Sequence, residues 1–230
     1  GPLRRIATRF LELGYGGIVF CAKPDECQTW LEYAKSAGRQ DDVVRISGET
    51  FNFLNYELNR PKDEGGGQVE NVVNIFMEVV NITKDKRSKG STSDEYWQNA
   101  IKQFLRNTIT LLGLAREPVT LVNIKKVIDT IPKAREEAAA FKTYWERFEI
   151  FCASPEIDSV RDRATSVEFD MARKRFERMV KEEKGGEWYK EGKKASDSYC
   201  ATLLLKAMFF GEAASHDYEL AHNYFTVEFP

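Results

Sequence analysis

Lys23, Asp25 and Glu26 stand together just after a short apolar run, Ile18-Val19-Phe20-Cys21-Ala22. A run this short, partly β-branched and bounded by glycine and proline, is expected as a strand buried on both faces. A lysine and two carboxylates at the carboxyl end of such a strand lie where open α/β sheets bind ligands. The plainer reading of the same residues is a helix start. Pro24 suits a first turn, and Asp25 and Glu26 favour its positive end.

Other reactive side chains point away from catalysis. No Gly-x-Ser-x-Gly occurs, and none of the four cysteines has a histidine at a suggestive spacing. Cys21, Cys27, Cys152 and Cys200 form no CxxC pair and sit in apolar settings, as free thiols of a reducing compartment do. His216 and His222 fall on different faces of a helix, so they make no metal pair. Glu136-Glu137 and Glu182-Glu183 are adjacent on helical segments, where neighbours diverge and cannot share acid–base work. The sequence therefore assigns no catalytic residue and no metal ligand set.

Phosphate contacts are a different chemistry. The formal net charge is −2, so no global basic field draws in nucleic acid. Two local clusters remain. Lys125, Lys126, Lys133 and Arg135 surround a helix break, and Lys84, Lys86, Arg87 and Lys89 lie in a segment read as a loop. Either neutralises phosphates or is simply solvated charge. Arg4, Arg5 and Arg9 form one basic helix face. Between Arg161 and Lys194 the charges alternate in sign, which favours surface ion pairs over a nucleic-acid stripe. Tyr144, Trp145, Phe148 and Phe151 are most simply core.

These residues are positioned by an asymmetric set of elements. Leu3 to Leu13 reads as a helix, then the run 18–22 as a strand, then a helix to about Ala37, and Asp42 to Ser47 as a second strand. That is the rhythm of an α/β domain, taken as residues 1–60. Residues 61–230 read as helices: Gln68 to Ile82, a long one through Trp97 and Leu112, Leu121 to Ile131, and Ala134 to Ala153. Ile157 to Glu183 is expected as one charged helix with a thin apolar stripe of Val160, Ala164, Val167, Met171 and Phe176. Gly185 to Lys194 reads as a polar link. Ser198 to Ala214, apolar nearly all round, is the central helix, and Asp217 to Thr226 the last.

Several segments resemble the coupling-protein ATPases of conjugation and type IV secretion, in the HerA/FtsK branch of P-loop motors. Gly16 to Glu26 is similar to their second core strand with its Lys-Pro acidic turn. Ala37-Gly38-Arg39 to Ile46 is similar to the next turn and strand. Phe51-Asn52-Phe53-Leu54 resembles their Phe-Asn-Pro-Leu turn, with Phe53 where proline is usual. Tyr96-Trp97-Gln98-Asn99-Ala100 resembles the start of their inserted all-helical domain, and Tyr224-Phe225 with Glu228-Phe229-Pro230 its end.

The resemblance implies an α/β fold: two parallel strands of a P-loop motor sheet, then a large all-helical insertion. It implies a parent that uses ATP and Mg2+, assembles as a hexameric ring and moves DNA or protein cargo in the cytoplasm. It places Lys23, Asp25 and Glu26 near the nucleotide. Lys125, Lys126, Lys133 and Arg135 would face DNA or cargo. Neither G-x-x-x-x-G-K-[ST] nor an apolar strand ending in Asp-Glu occurs, so the chain alone is not expected to turn over ATP. No apolar run approaches 18 residues, so no membrane contact is expected from this segment. The rival reading is a non-enzymatic adaptor that docks a protein through Ile157–Glu183.

Overall fold

The computed structural model describes residues 2–45, 52–83, 92–183 and 186–228. The cluster Lys84, Lys86, Arg87 and Lys89 lies outside them. The chain divides into two compact units, Gly1–Phe51 and Asn52–Pro230.

The first unit is a helix pair. α1 (Pro2–Glu12) and α2 (Pro24–Ser36) pack together, and a 3-10 turn follows at Gln40–Asp42. α2 begins as its sequence demands, with Pro24 in the first turn and Lys23 extended at the cap. Gly38 closes it in the left-handed region at φ +70. The Arg39 guanidinium donates to the Tyr15 carbonyl at 2.9 Å, pinning the chain between the helices.

No strand occurs among the described residues, so the expected α/β class for residues 1–60 is overturned. Ile18–Ala22 carries no regular structure, and Ile18 is 78% and Phe20 93% exposed. Val43 to Arg45 is likewise irregular, with Val44 70% exposed. The apolar run is present, but a run becomes a strand only when a neighbour satisfies its backbone. Two short segments provide too little pairing to hold a sheet by themselves. Only Ala34 is buried among the apolar residues described in this unit.

The second unit is all helical. Its elements are α3 (Phe53–Asn59), α4 (Val69–Thr83), α5 (Thr92–Leu114), α6 (Leu121–Thr130), α7 (Arg135–Cys152), α8 (Pro155–Asp158), α9 (Ser166–Glu182), α10 (Glu187–Ser196), α11 (Tyr199–Phe209) and α12 (His216–Asn223). A π-turn, Tyr224–Glu228, closes the described chain. Side-chain caps fix the starts of α3, α6, α9, α11 and α12. Thr120 accepts from Asn123 N at 3.0 Å, and Ser198 from Ala201 N at 3.0 Å. Thr165 and Glu168 make a reciprocal capping box. That box starts α9 afresh, so the single helix expected over Ile157–Glu183 is α8, a 3-10 turn at Arg161–Arg163, and α9.

The core is aromatic. α7 presents Phe141, Tyr144 and Phe148 on one buried stripe, and α9 presents Phe169, Ala172, Phe176 and Val180. Phe176 meets both Tyr144 and Phe148 edge-on, at 5.3 and 5.2 Å between centroids. α11 is the central helix: from Cys200 to Phe210 only Thr202 is not buried. α4 and α5 run antiparallel, linked by the Glu70–Arg106 ion pair. Residues read as a polar link form α10, which packs closely on α7 through Gly192.

Candidate functional site

Lys23, Asp25 and Glu26 are exposed at the start of α2. The Glu26 carboxylate accepts from Ala22 N at 2.9 Å, and the Glu26 amide donates to the Lys23 carbonyl at 3.1 Å. Two carboxylates therefore occupy the positive end of the helix where a phosphate would have to lie. This set does not fit a triphosphate. The nearby Cys21 thiol is raised above its usual range by desolvation, and further by Cys27 and Glu26.

The cations expected to meet DNA or cargo fare differently from one another. Lys125 is paired with Asp129 at 2.5 Å, one turn along α6. Lys126 places its Nζ 5.4 Å from the centre of the Tyr199 ring. Lys133 and Arg135 are exposed at the start of α7, beside Glu136 and Glu137, and the Lys133 amide donates to Glu137 at 2.9 Å. Acids thus accompany most of this cluster, and it forms no continuous positive stripe.

What accompanies Lys125 is apolar. Leu121, Val122 and Ile128 are 65, 64 and 53% exposed. They lie away from Ile124 and Val127, the stripe that α6 buries. α9 shows the same division. The sequence put Val167 and Met171 in one stripe with Phe176, but Phe176 is buried and both others are 67% exposed. The error is one of phase. The core takes Phe169, Ala172, Phe176 and Val180, and at 100° per residue Val167 and Met171 then point to the opposite side.

α6 and α9 both pack on α11 and both run antiparallel to it. The α11 residues Tyr199, Thr202 and Lys206 recur at helical spacing and carry the links to them. Tyr199 faces Lys126 of α6, and Thr202 Oγ1 accepts from Arg173 of α9 at 3.2 Å. Lys206, only 4% exposed, pairs with Glu117 ahead of α6 and donates to Ser166 Oγ at 2.6 Å. Arg173 also reaches Glu177, Ser196 and Asp197, so it ties α9 to the end of α10. These contacts tie α6 and α9, and with them their outward faces, to one core helix.

The Ser166–Lys206–Glu117 set is the nearest approach to a nucleophile arrangement. It joins residues 40 and 89 apart in the chain, which no local motif reveals. Beside the Glu117 carboxylate, Lys206 is a donor in both contacts. Ser166 is therefore an acceptor there and gains no activation. Burial pushes the Cys152 and Cys200 thiols up to about 12, which keeps them from acting as thiolates. Among the described residues no group of three or more His, Cys, Asp and Glu is placed to hold a metal ion. No described helix is long and apolar enough to cross a membrane.

Among the described residues, His222 is a strongly displaced basic group. Its ring lies across Trp145, 3.5 Å between centroids, and parallel to Tyr218 at 6.0 Å. Burial lowers its pKa to about 4. The unfolded chain, with an ordinary histidine near 6.5, binds the extra proton first as pH falls. Stability is therefore full above about pH 6.5 and declines toward pH 4. After screening of the partly exposed ring the loss is about 2 kcal/mol, or about 5 °C in Tm. Thermal melts from pH 7 to 4.5 should show this slope, and His222→Phe should flatten it relative to the native chain. Equal slopes for the two proteins would remove His222 as the cause.

No protein-family profile, curated protein or solved structure matches the chain.

Proposed function

We propose that this chain is a non-catalytic helical module that docks protein cargo, of the kind that brings substrates to a coupling-type ATPase motor. The observation that carries the reading is the pair of outward aliphatic faces, Leu121, Val122 and Ile128 on α6 and Val167 and Met171 on α9. Aliphatic side chains arranged in rows on rigid helices are what helix-in-groove and helix-on-helix recognition uses. The resemblance to coupling proteins supports a cargo-facing role for helices of this kind. ATP hydrolysis, Mg2+ binding and hexameric ring assembly belong, in this reading, to the motor served. A reducing cytoplasm suits the four free thiols.

Direct DNA handling is the weaker reading, because Lys125 is neutralised and Lys133 and Arg135 lie among acids. The test is a peptide-display selection on the immobilised chain, counter-selected with Leu121, Val122, Ile128, Val167 and Met171 all replaced by serine. Amphipathic helical sequences that the serine variant does not retain are the expected result. Labelled DNA titrated against salt is run in parallel. Steeply salt-dependent DNA binding with no selected peptide would replace the protein-cargo reading by the nucleic-acid one.

A further inference from the structure

We propose that the outward row of α9, running Val167, Met171, Lys174, Arg178 and Lys181, is the docking site for an acidic amphipathic helix of a partner protein; this rests on the protein-docking reading above. All of these residues are exposed. With Phe169, Ala172, Phe176 and Val180 buried, the five fall within about 45° of the outward pole of the helix. From Val167 to Lys181 the row is about 21 Å long at 1.5 Å per residue, matching a partner helix of about four turns.

The charges choose the partner. Lys174 and Arg178 are spaced i, i+4, and Arg178 and Lys181 i, i+3. Like charges at such spacings repel and weaken a helix unless something compensates them. Two of the acids within reach are engaged elsewhere. Glu168 is in the capping box, and Glu177 is held by Arg173 and Lys193. Arg175, on the flank of the row, already has Glu156. Asp170 and Glu182 lie one turn from Lys174 and Arg178 but form no ion pair with them among the described residues, and Lys181 Nζ lies 5.7 Å from the Tyr189 ring centre. The row is thus apolar over its first turns and cationic over the rest. A partner helix with aliphatic residues followed by glutamates or aspartates complements both halves. Phosphate complements only the second half and leaves Val167 and Met171 in water. α6 differs in that its Lys125 is already paired with Asp129, so it offers aliphatic contact with less net charge.

Fluorescence anisotropy tests this with two labelled, stapled helical peptides. Both carry leucines along one face; beside them one has glutamates and the other lysines. The chain should bind the glutamate peptide at least tenfold tighter at low salt, with the preference shrinking as ionic strength rises. Lys174→Glu with Arg178→Glu should reverse the preference. Val167→Ser with Met171→Ser should weaken the glutamate peptide about tenfold, and Lys125→Glu on α6 should leave it unchanged. These are exposed positions, and melts confirm that each variant folds. A preference unmoved by the α9 reversal overturns the inference, as does a short DNA duplex that binds more tightly through the same cations. Loss of peptide binding in the α6 variant alone overturns the α9 site while leaving protein docking intact. Binding of neither peptide, together with an empty display selection, overturns both.

Discussion

Gly192→Ala is expected to destabilise the helical unit by about 3 kcal/mol, although alanine is the better helix former by about 1 kcal/mol. A Cβ on Gly192 would lie 2.4 Å from Tyr144 Cβ and 3.3 Å from the Ala140 carbonyl oxygen. Neither is the loose end of a side chain that can swing aside. Tyr144 is fully buried, with Phe176 edge-on against its ring. Relief requires α10 to move away from α7, which opens gaps around Tyr144 and Tyr189 and loses contact on both helices. The melting temperature should fall by about 8 °C for a unit of this size. Gly113 in α5 supplies the control, since a Cβ there meets nothing within 4 Å. Gly113→Ala should raise stability by about 0.5 kcal/mol from helix propensity alone. Calorimetry of the two variants separates close approach from propensity. A Gly192→Ala protein that melts with or above the native chain would show that α10 does not pack as described.

α10 also shows where sequence reading stops. Glu187 to Ser196 contains three lysines, two glutamates and a glycine, and so was read as a link. Tyr189, Gly192 and Ser196 are its buried face, and two of those three residues carry no hydrophobic signal. Gly192, inside the expected polar link, is the contact residue. Elsewhere the pattern was sufficient. α2, α4, α6 and α7 begin and end within a few residues of their expected positions, because proline, glycine and cap residues mark them locally, whereas α11 stops at Phe209, five residues before the expected Ala214. The strand expected at 18–22, and the described part (42–45) of the one expected at 42–47, failed for the opposite reason; residues 46 and 47 lie outside the described residues. A β-branched run specifies that it can pair, but its partner must come from elsewhere in the fold.

The candidate surface was half legible. Lys125 and Lys126 were picked out by charge, and the structure sets exposed Leu121, Val122 and Ile128 around Lys125. The sequence groups Val167 and Met171 with Phe176 in one stripe for a partner, whereas the structure buries Phe176 and leaves the other two exposed. A thin stripe on a charged helix has two nearly equal phases. The choice between them was made by Phe169 and Val180, whose partners, such as Phe209, lie far away in sequence. The Lys206 anchor was invisible for the same reason. A lysine in the middle of Leu-Leu-Leu-Lys-Ala-Met reads as an exception, and its meaning depends on Glu117.

Glu117→Ala is therefore the second change expected to be costly, at about 3 kcal/mol. It removes the one carboxylate paired with a lysine that is 4% exposed, leaving Ser166 Oγ as a neutral acceptor. Glu117 itself is 27% exposed, so some water can follow into the space, which holds the cost toward the lower end of the range for broken buried pairs. Lys206→Met removes the charge and keeps the length and much of the volume. It should lie within about 1 kcal/mol of the native chain, because a well-packed apolar replacement escapes the desolvation penalty that the ion pair must overcome. The double variant, Glu117→Ala with Lys206→Met, should then resemble Lys206→Met alone, since without the buried cation the carboxylate has little left to neutralise. Urea denaturation of the three variants gives the coupling directly. Additive losses would mean that Glu117 acts through something other than Lys206. A strongly negative coupling would identify the pair as an anchor, and with it the means by which α6 and α9 present their outward faces from one core helix.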